Sequence, residues 1–396
     1  MKKIVIIGAG IIGLSLALEL LKRGHKKVLL IEKENQIAMH QSSRNSGVMH
    51  AGLYYKPGSL KSRLCREGIN LMKTYCNKHS IEWNECGKIV IANNSLEENR
   101  LSELFERGKK NKLKGIEKIT TKQISKIEPY VQAHNAIYVP EESIVNYRAV
   151  AQSYLNEIIS YGGSIKYSSK VKKIKNIINK KVITLDDGED LDADIVISSS
   201  GLFSDKLAEM MGLNVNNQKI LPFRGEYYLL KDEFRYLVKG LIYPVPNPSF
   251  PFLGVHFTKM IDGNVEAGPN AVLALAREGY NWRTINIQEL VESLSYEGLR
   301  NFILKYPLTT LGEVSRSLSK SLFIEDLKKL LPDVNQNMFY RGSSGIRAQL
   351  MNSKGDLIQD FDIKINGNLV SVLNAPSPAA TSSLAIAKYV AEYIDI

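Results

Sequence analysis

The stretch KKIVIIGAGIIGLSLALELLKRGHKKVLLIEKE, residues 2–34, decides the fold. Residues 4–7 form a continuous β-branched run, as expected of a central parallel strand buried on both faces. Gly8-Ala9-Gly10-Ile11-Ile12-Gly13 follows as a G-x-G-x-x-G. Gly8 permits a tight turn, Gly10 lets the backbone approach a pyrophosphate, and Gly13 lets a helix pack closely on the strand. Leu14, Ala17, Leu18 and Leu21 recur at helical spacing, Gly24 stops the helix, and residues 28–31 read as a second buried strand ending in Glu32. That carboxylate stands nineteen positions after Gly13, where it can bond an adenosine ribose and would repel a 2′-phosphate. The motif alone fits NAD and FAD equally. A nucleotide site that begins at residue 4, with further ligand-like sequence after Glu32, favours FAD.

That further sequence is HQSSRNSGVMHAGLYY, residues 40–55. It is dense in small residues and hydrogen-bond donors and has neither helical nor alternating period, as a ligand-lining loop should be. Ser42, Ser43, Asn45 and Ser46 can bond phosphate or flavin edges.

The 396-residue length predicts two domains. Hydrophobic residues at 44% and charged residues at 23% are enough to build packed cores. The net charge of +11 favours anionic partners. It is spread in short lysine runs without an aromatic-and-basic RNA motif, so nucleic acid is not expected as a partner. Cys65, Cys76 and Cys86 are an odd set without C-x-x-C spacing, which indicates neither a metal site nor a disulfide framework. A cytoplasmic location is expected, with peripheral contact on the inner face of the membrane as its variant. The apolar opening carries dinucleotide glycines, so it is not a signal peptide, and it is too short to span a bilayer.

NSGVMHAGLYYKPGSLK at 45–61, PFRGEYYLL at 222–230, PFLGVHFT at 251–258, GPNAVLALAREGY at 268–280, GIRAQ at 345–349 and NAPSPAATSSLAIA at 374–387 together resemble the L-2-hydroxyglutarate dehydrogenase/oxidase family. That family lies within the D-amino-acid oxidase and glycerol-3-phosphate dehydrogenase superfamily. The resemblance runs from residue 4 to 387. It implies an α/β fold, with a Rossmann-like FAD-binding domain interleaved with a mixed-sheet substrate domain. It implies oxidation of L-2-hydroxyglutarate to 2-oxoglutarate, with oxygen, a quinone or an electron carrier reoxidising the flavin. The alternatives are another flavin oxidase of the superfamily and, more remotely, a flavin-dependent RNA-modifying protein. Where relatives often carry a histidine this chain has Ser371, so no role is carried over there.

The nucleotide domain is expected at 1–75, 146–220 and 336–396, and the substrate domain at 76–145 and 221–335. Strands are expected at 88–92, 195–198, 223–230, 252–258 and 264–267, with a Pro-rich loop at 244–251 and a helical region at 286–331. Val171, Gly201, Asp205 and Gly345 are expected beside the cofactor. So are Ser377, Ala379, Ala380 and Thr381, in a helix opening at Ser377 whose N-terminal charge would stabilise a reduced flavin.

Oxidising a 2-hydroxy acid needs a carboxylate anchor and a base. Arginine suits the first by its planar fork, and histidine the second. The resemblance makes Arg347 the expected anchor, and Arg224 is expected to hold the second carboxylate, with Tyr54 and Tyr227 as hydroxyl donors. The resemblance also favours His256 as base over His50, which would lie against the flavin.

Overall fold

The structure is a computed structural model that describes residues 2–177, 180–247 and 252–394. The Pro-rich loop expected at 244–251 therefore lies partly outside the described residues, as does the start of the 251–258 block.

A six-stranded sheet carries the nucleotide motif. Its order is Asp362–Asn366, Leu369–Asn374, Ile195–Ser198, Lys3–Ile7, Lys27–Ile31 and Ser164–Lys166, parallel except for the first strand. Ile4 pairs with Val28 on one side and Ile195 on the other. A strand paired on both sides and covered on both faces needs apolar side chains throughout, and residues 4–7 are all buried. The helix Ile11–Lys22 is apolar nearly all round, as a helix covered on several sides must be. It packs against Tyr147–Ser160 and Ser383–Ala391, and Ser15 Oγ donates to the Ser383 carbonyl at 3.0 Å.

A nine-stranded mixed sheet forms the second layer system. Lys219–Leu230 and Phe339–Met351 pair antiparallel along nearly their whole length. Lys219–Leu230 also pairs with Val272–Leu273 and Val265–Gly268, and the sheet continues through His256–Lys259, Leu241–Pro244, Lys88–Ala92, Asn135–Val139 and Glu117–Thr120. Phe339–Met351 was expected in the nucleotide domain. Its pairing places it in this sheet.

Two further expectations are corrected. The strand expected at 252–258 is ordered as a strand only at His256–Lys259, because Phe252 leaves the sheet to pack on Phe223 with ring centroids 4.9 Å apart. The helix expected to open at Ser377 begins at Ser383. Pro376 and Pro378 have no N–H to give, and residues 376–382 form tight turns in which Ala379 N–H donates to the Pro376 carbonyl and Ser382 N–H to that of Pro378. The helical region is four separate helices, Ile287–Ser295, Glu297–Lys305, Pro307–Leu318 and Lys320–Lys328.

Candidate active site

Both sheets open onto one cavity of about 1750 Å³, larger than the roughly 300–1,000 Å³ of a common small-ligand pocket. At its nucleotide end Gly8 has φ +102°, and a Cβ there would stand 2.7 Å from the Ser199 carbonyl oxygen. A Cβ on Gly13 would come within 1.9 Å of the Gly8 carbonyl oxygen. Gly13 thus sets the approach of helix to strand and does not itself line the cavity. Glu32 is nearly buried at the cavity wall. Its carboxylate accepts N–H groups from Ala9 at 2.7 Å and Glu34 at 3.0 Å. Ser42 Oγ accepts the Ile11 N–H at 2.9 Å, and Asn45 and Ser46 continue the same wall.

Val171, Gly201, Gly345, Ser377, Ala379, Ala380 and Thr381 also line the cavity. Thr381 Oγ1 accepts the His50 N–H at 3.1 Å and lies 2.8 Å from the Tyr147 hydroxyl, so the turn at 376–382 is tied to the loop that carries His50. Ser43 and Asp205 are corrections. The Ser43 hydroxyl donates to the Ala38 carbonyl at 2.5 Å, and Ser43 is not among the residues that line the cavity. Asp205 is fully buried and is consumed by Arg277, at 2.6 and 2.9 Å, and by the Ile220 N–H. It braces the fold and does not face the cofactor cavity.

At the other end, strand alternation assigns the side chains. Phe223 pairs with Arg347 and Gly225 with Gly345, so Gly225, Tyr227, Gly345 and Arg347 share the cavity face. Arg347 donates to the Asn270 carbonyl at 3.1 Å and lies over the Phe252 ring. Arg224 is on the opposite face. It is wholly buried, lies 3.3 Å from Glu226 and 4.4 Å over the Trp282 ring, and is absent from the cavity wall. The expectation that it holds a carboxylate of substrate is therefore corrected.

Two histidines face the cavity with different supports. His256 Nδ1 lies 2.9 Å from the Gly254 carbonyl. A carbonyl only accepts, so the proton is on Nδ1 and Nε2 keeps its lone pair. Burial, with the Lys88, Arg347 and His50 charges adding to it, pushes His256 down to about 3. Its ring stacks on Tyr243 at 3.8 Å between centroids. His50 instead has Nδ1 3.3 Å from Glu142 and 3.4 Å from Lys88 Nζ. Lys88 and Glu142 are completely buried and pair at 2.8 Å. Burial alone would raise the Glu142 carboxyl; Lys88 and His50 overcome it and hold the group at about 2. Burial and the Lys88 charge lower the His50 pKa, against the pull of Glu142. The Tyr54 hydroxyl is buried without a protein partner, and its ring lies 5.3 Å beneath Lys88 Nζ. Lys88 and Glu142 were not anticipated. The signal for Lys88 was a lysine opening the otherwise apolar KIVIA strand, where a buried ammonium needs a partner; Glu142 left none.

The profile of the family described as FAD dependent oxidoreductase matches residues 3–393. The chain belongs to this family. Among relatives of this FAD-dependent oxidoreductase, the L-2-hydroxyglutarate dehydrogenase of Indibacter alkaliphilus is 45% identical over 99% of this chain and 98% of its own length. The mitochondrial L-2-hydroxyglutarate dehydrogenase of Bos taurus is 40% identical over 99% of this chain and 88% of its own. In fold, it is similar to the FAD-bound L-alpha-glycerophosphate oxidase of Mycoplasma pneumoniae, with a TM-score of 0.80 at 20% identity, covering 100% of this chain and 95% of that one. Glycine oxidase from Geobacillus kaustophilus gives 0.74 at 17% identity, covering 100% and 94%. The α/β Rossmann-like architecture and the FAD cofactor stand on these findings together with the cavity. The glycine cradle and the volume both fit FAD.

Proposed function

We propose that this chain oxidises L-2-hydroxyglutarate to 2-oxoglutarate, and that the site residues act as follows. The observation that carries the reading is a cavity that joins a dinucleotide cradle to a half-buried arginine, a partnerless tyrosine hydroxyl and two neutral histidines. FAD supplies a hydride acceptor for C2 of the substrate. Arg347, pinned by Asn270, offers its remaining donors to the substrate carboxylate next to C2. Tyr54 and Tyr227 are neutral phenols, their pKa values raised by burial, and donate to the second carboxylate, which replaces the partner that Tyr54 lacks within the protein.

We assign the two histidines in the opposite order to that expected. A base must be stable after it takes the proton. Protonated His50 would face Glu142 at 3.3 Å, whereas protonated His256 would face only a carbonyl and the Lys88 and Arg347 charges. His50 is therefore assigned as base, taking the hydroxyl proton as the C2 carbonyl forms. His256 accepts a hydrogen bond at Nε2 and orients the substrate. The division into a FAD-binding part at 1–75, 146–220 and 352–396, with a substrate-binding remainder, belongs to the same proposal. So does an acceptor, either oxygen or a membrane quinone or electron carrier.

The test is anaerobic reduction of the flavin by L-2-hydroxyglutarate, with the D-isomer, L-lactate and glycerol 3-phosphate as controls. Rapid bleaching by the L-isomer alone is expected. Bleaching by a different compound overturns the substrate assignment while leaving the flavin chemistry in place.

A further inference from the structure

Arg347 is placed by a single loop. Its guanidinium donates to the Asn270 carbonyl at 3.1 Å, and the carboxylate whose charge bears on it is Glu313, with which it forms no ion pair. Residues 269–271 lie close on the nine-stranded sheet: a Cβ on Gly225 would stand 2.7 Å from the Pro269 Cβ and 3.1 Å from the Asn270 carbonyl oxygen. Asn270 and Ala271 are buried. A polar group of this loop that lost its partner could not turn to water instead.

Two glutamates hold the loop. Glu226 donates its N–H to Asn270 Oδ1 at 2.8 Å, and its Oε2 accepts from Asn270 Nδ2 at 3.4 Å. The same carboxylate also meets Arg224, Arg341 and Ser317, so its first duty is to the fold. Glu313 has fewer ties. It stands on Pro307–Leu318, a helix with no residue on the cavity wall. Its Oε2 accepts the Ala271 N–H at 2.7 Å and its Oε1 meets Arg316 at 2.7 Å, and Arg316 is held in turn by Asp326. A helix outside the site thus reaches Arg347 through two links, Glu313 to Ala271 and Asn270 to Arg347. Direction matters at that end, because a planar guanidinium grips a carboxylate only when two of its N–H groups point at it, and a misplacement of about 1 Å can cost about 100-fold.

We propose that Glu313 is a positioning residue for substrate. By accepting the Ala271 N–H it fixes the 269–271 loop, and through the Asn270 carbonyl it sets the direction in which Arg347 presents its remaining donors to the substrate carboxylate. The proposal rests on Arg347 as the carboxylate anchor.

The experiment titrates the FAD-loaded protein with 2-oxoglutarate, read as a change in the flavin spectrum without turnover, beside steady-state kinetics on L-2-hydroxyglutarate. Glu313→Leu keeps the bulk and removes the acceptor; Kd and KM should rise about tenfold while kcat stays within about threefold and flavin content is unchanged. Glu313→Gln keeps an oxygen for the Ala271 N–H and should restore both constants to within about twofold. In an Arg347→Lys background, where the fork is already gone, Glu313→Leu should cost no more than about twofold further. Unchanged Kd in Glu313→Leu overturns the proposal, as does a loss in kcat at constant KM, or a Gln variant as weak as the Leu variant. Fully additive losses with Arg347→Lys, or a Leu variant that no longer holds FAD, overturn it too, since Glu313 would then serve the fold alone. If a different carboxylate reduces the flavin, the substrate assignment fails and the same comparison is made with that compound. A wild type that binds no carboxylate ends both.

Discussion

Glu142→Gln keeps the size of a wholly buried side chain and removes the charge that faces Lys88 at 2.8 Å and His50 at 3.3 Å. The Lys88 side chain has no exposure, so water cannot replace the lost partner. The fall of the Glu142 carboxyl from 4.5 to about 2 corresponds to about 3 kcal/mol. Removing one member of a buried pair costs about 3–5 kcal/mol, and the two figures agree in order of magnitude. Urea denaturation of the FAD-loaded protein at neutral pH should register that loss. Because the folded carboxyl titrates below its ordinary value, its contribution is complete above about 4.5 and disappears as pH falls toward about 2. The stabilities of variant and wild type should therefore converge in acid. His50 also loses the carboxylate that steadies its protonated form, so kcat/KM should drop about 100-fold or more. A double variant, Lys88→Met with Glu142→Gln, should regain most of the stability and little of the activity. An unchanged urea midpoint in the single variant would refute the pairing. A large stability loss with kcat/KM intact would refute His50 as base.

Arg347→Lys replaces a fork with a point charge; kcat/KM for the substrate should fall roughly 10- to 150-fold, mostly through KM, by loss of about 1.5–3 kcal/mol of charged hydrogen bonding. Arg224→Met should behave oppositely. Its cost is stability, about 3–5 kcal/mol, with KM unchanged because the side chain faces Glu226 and Trp282, and a tenfold rise in KM would return it to the substrate site. Ala380→Glu puts a carboxylate on the cavity wall, and the purified protein should hold little flavin by absorbance; full occupancy would remove the 376–382 turns from the cofactor site.

The nucleotide half was legible because its signals are local. Strand, glycines, helix, strand and Glu32 follow one another within 34 residues, and each is dictated by backbone sterics or by two-sided burial. The substrate half depends on which way a strand faces. Arg224 and Tyr227 are three residues apart on one strand, and alternation sends positions an odd number apart to opposite faces. That parity alone argued against both reaching one ligand. The order of the histidines was not legible at all, because it depends on Lys88 and Glu142, which meet His50 only in the folded chain. Ser43 and Asp205 failed for a related reason. A hydroxyl or a carboxylate in a ligand-like loop is equally able to satisfy its own backbone or a distant arginine, and here Ala38 and Arg277 claim them.

The six-stranded sheet takes neighbouring strands from far apart in the chain, with Ile195–Ser198 lying between Lys3–Ile7 and Leu369–Asn374. On a ribosome, Ile195–Ser198 must wait with one edge bare until residue 369 has been made, on the order of ten seconds later at ordinary translation rates. The turns at 376–382 that close the cofactor cavity emerge later still. A nascent chain is therefore blind to its cofactor until synthesis nears that point, and the capture of FAD reports a finished fold. Chains stalled earlier carry an open, apolar strand edge, which marks them for chaperones and proteases.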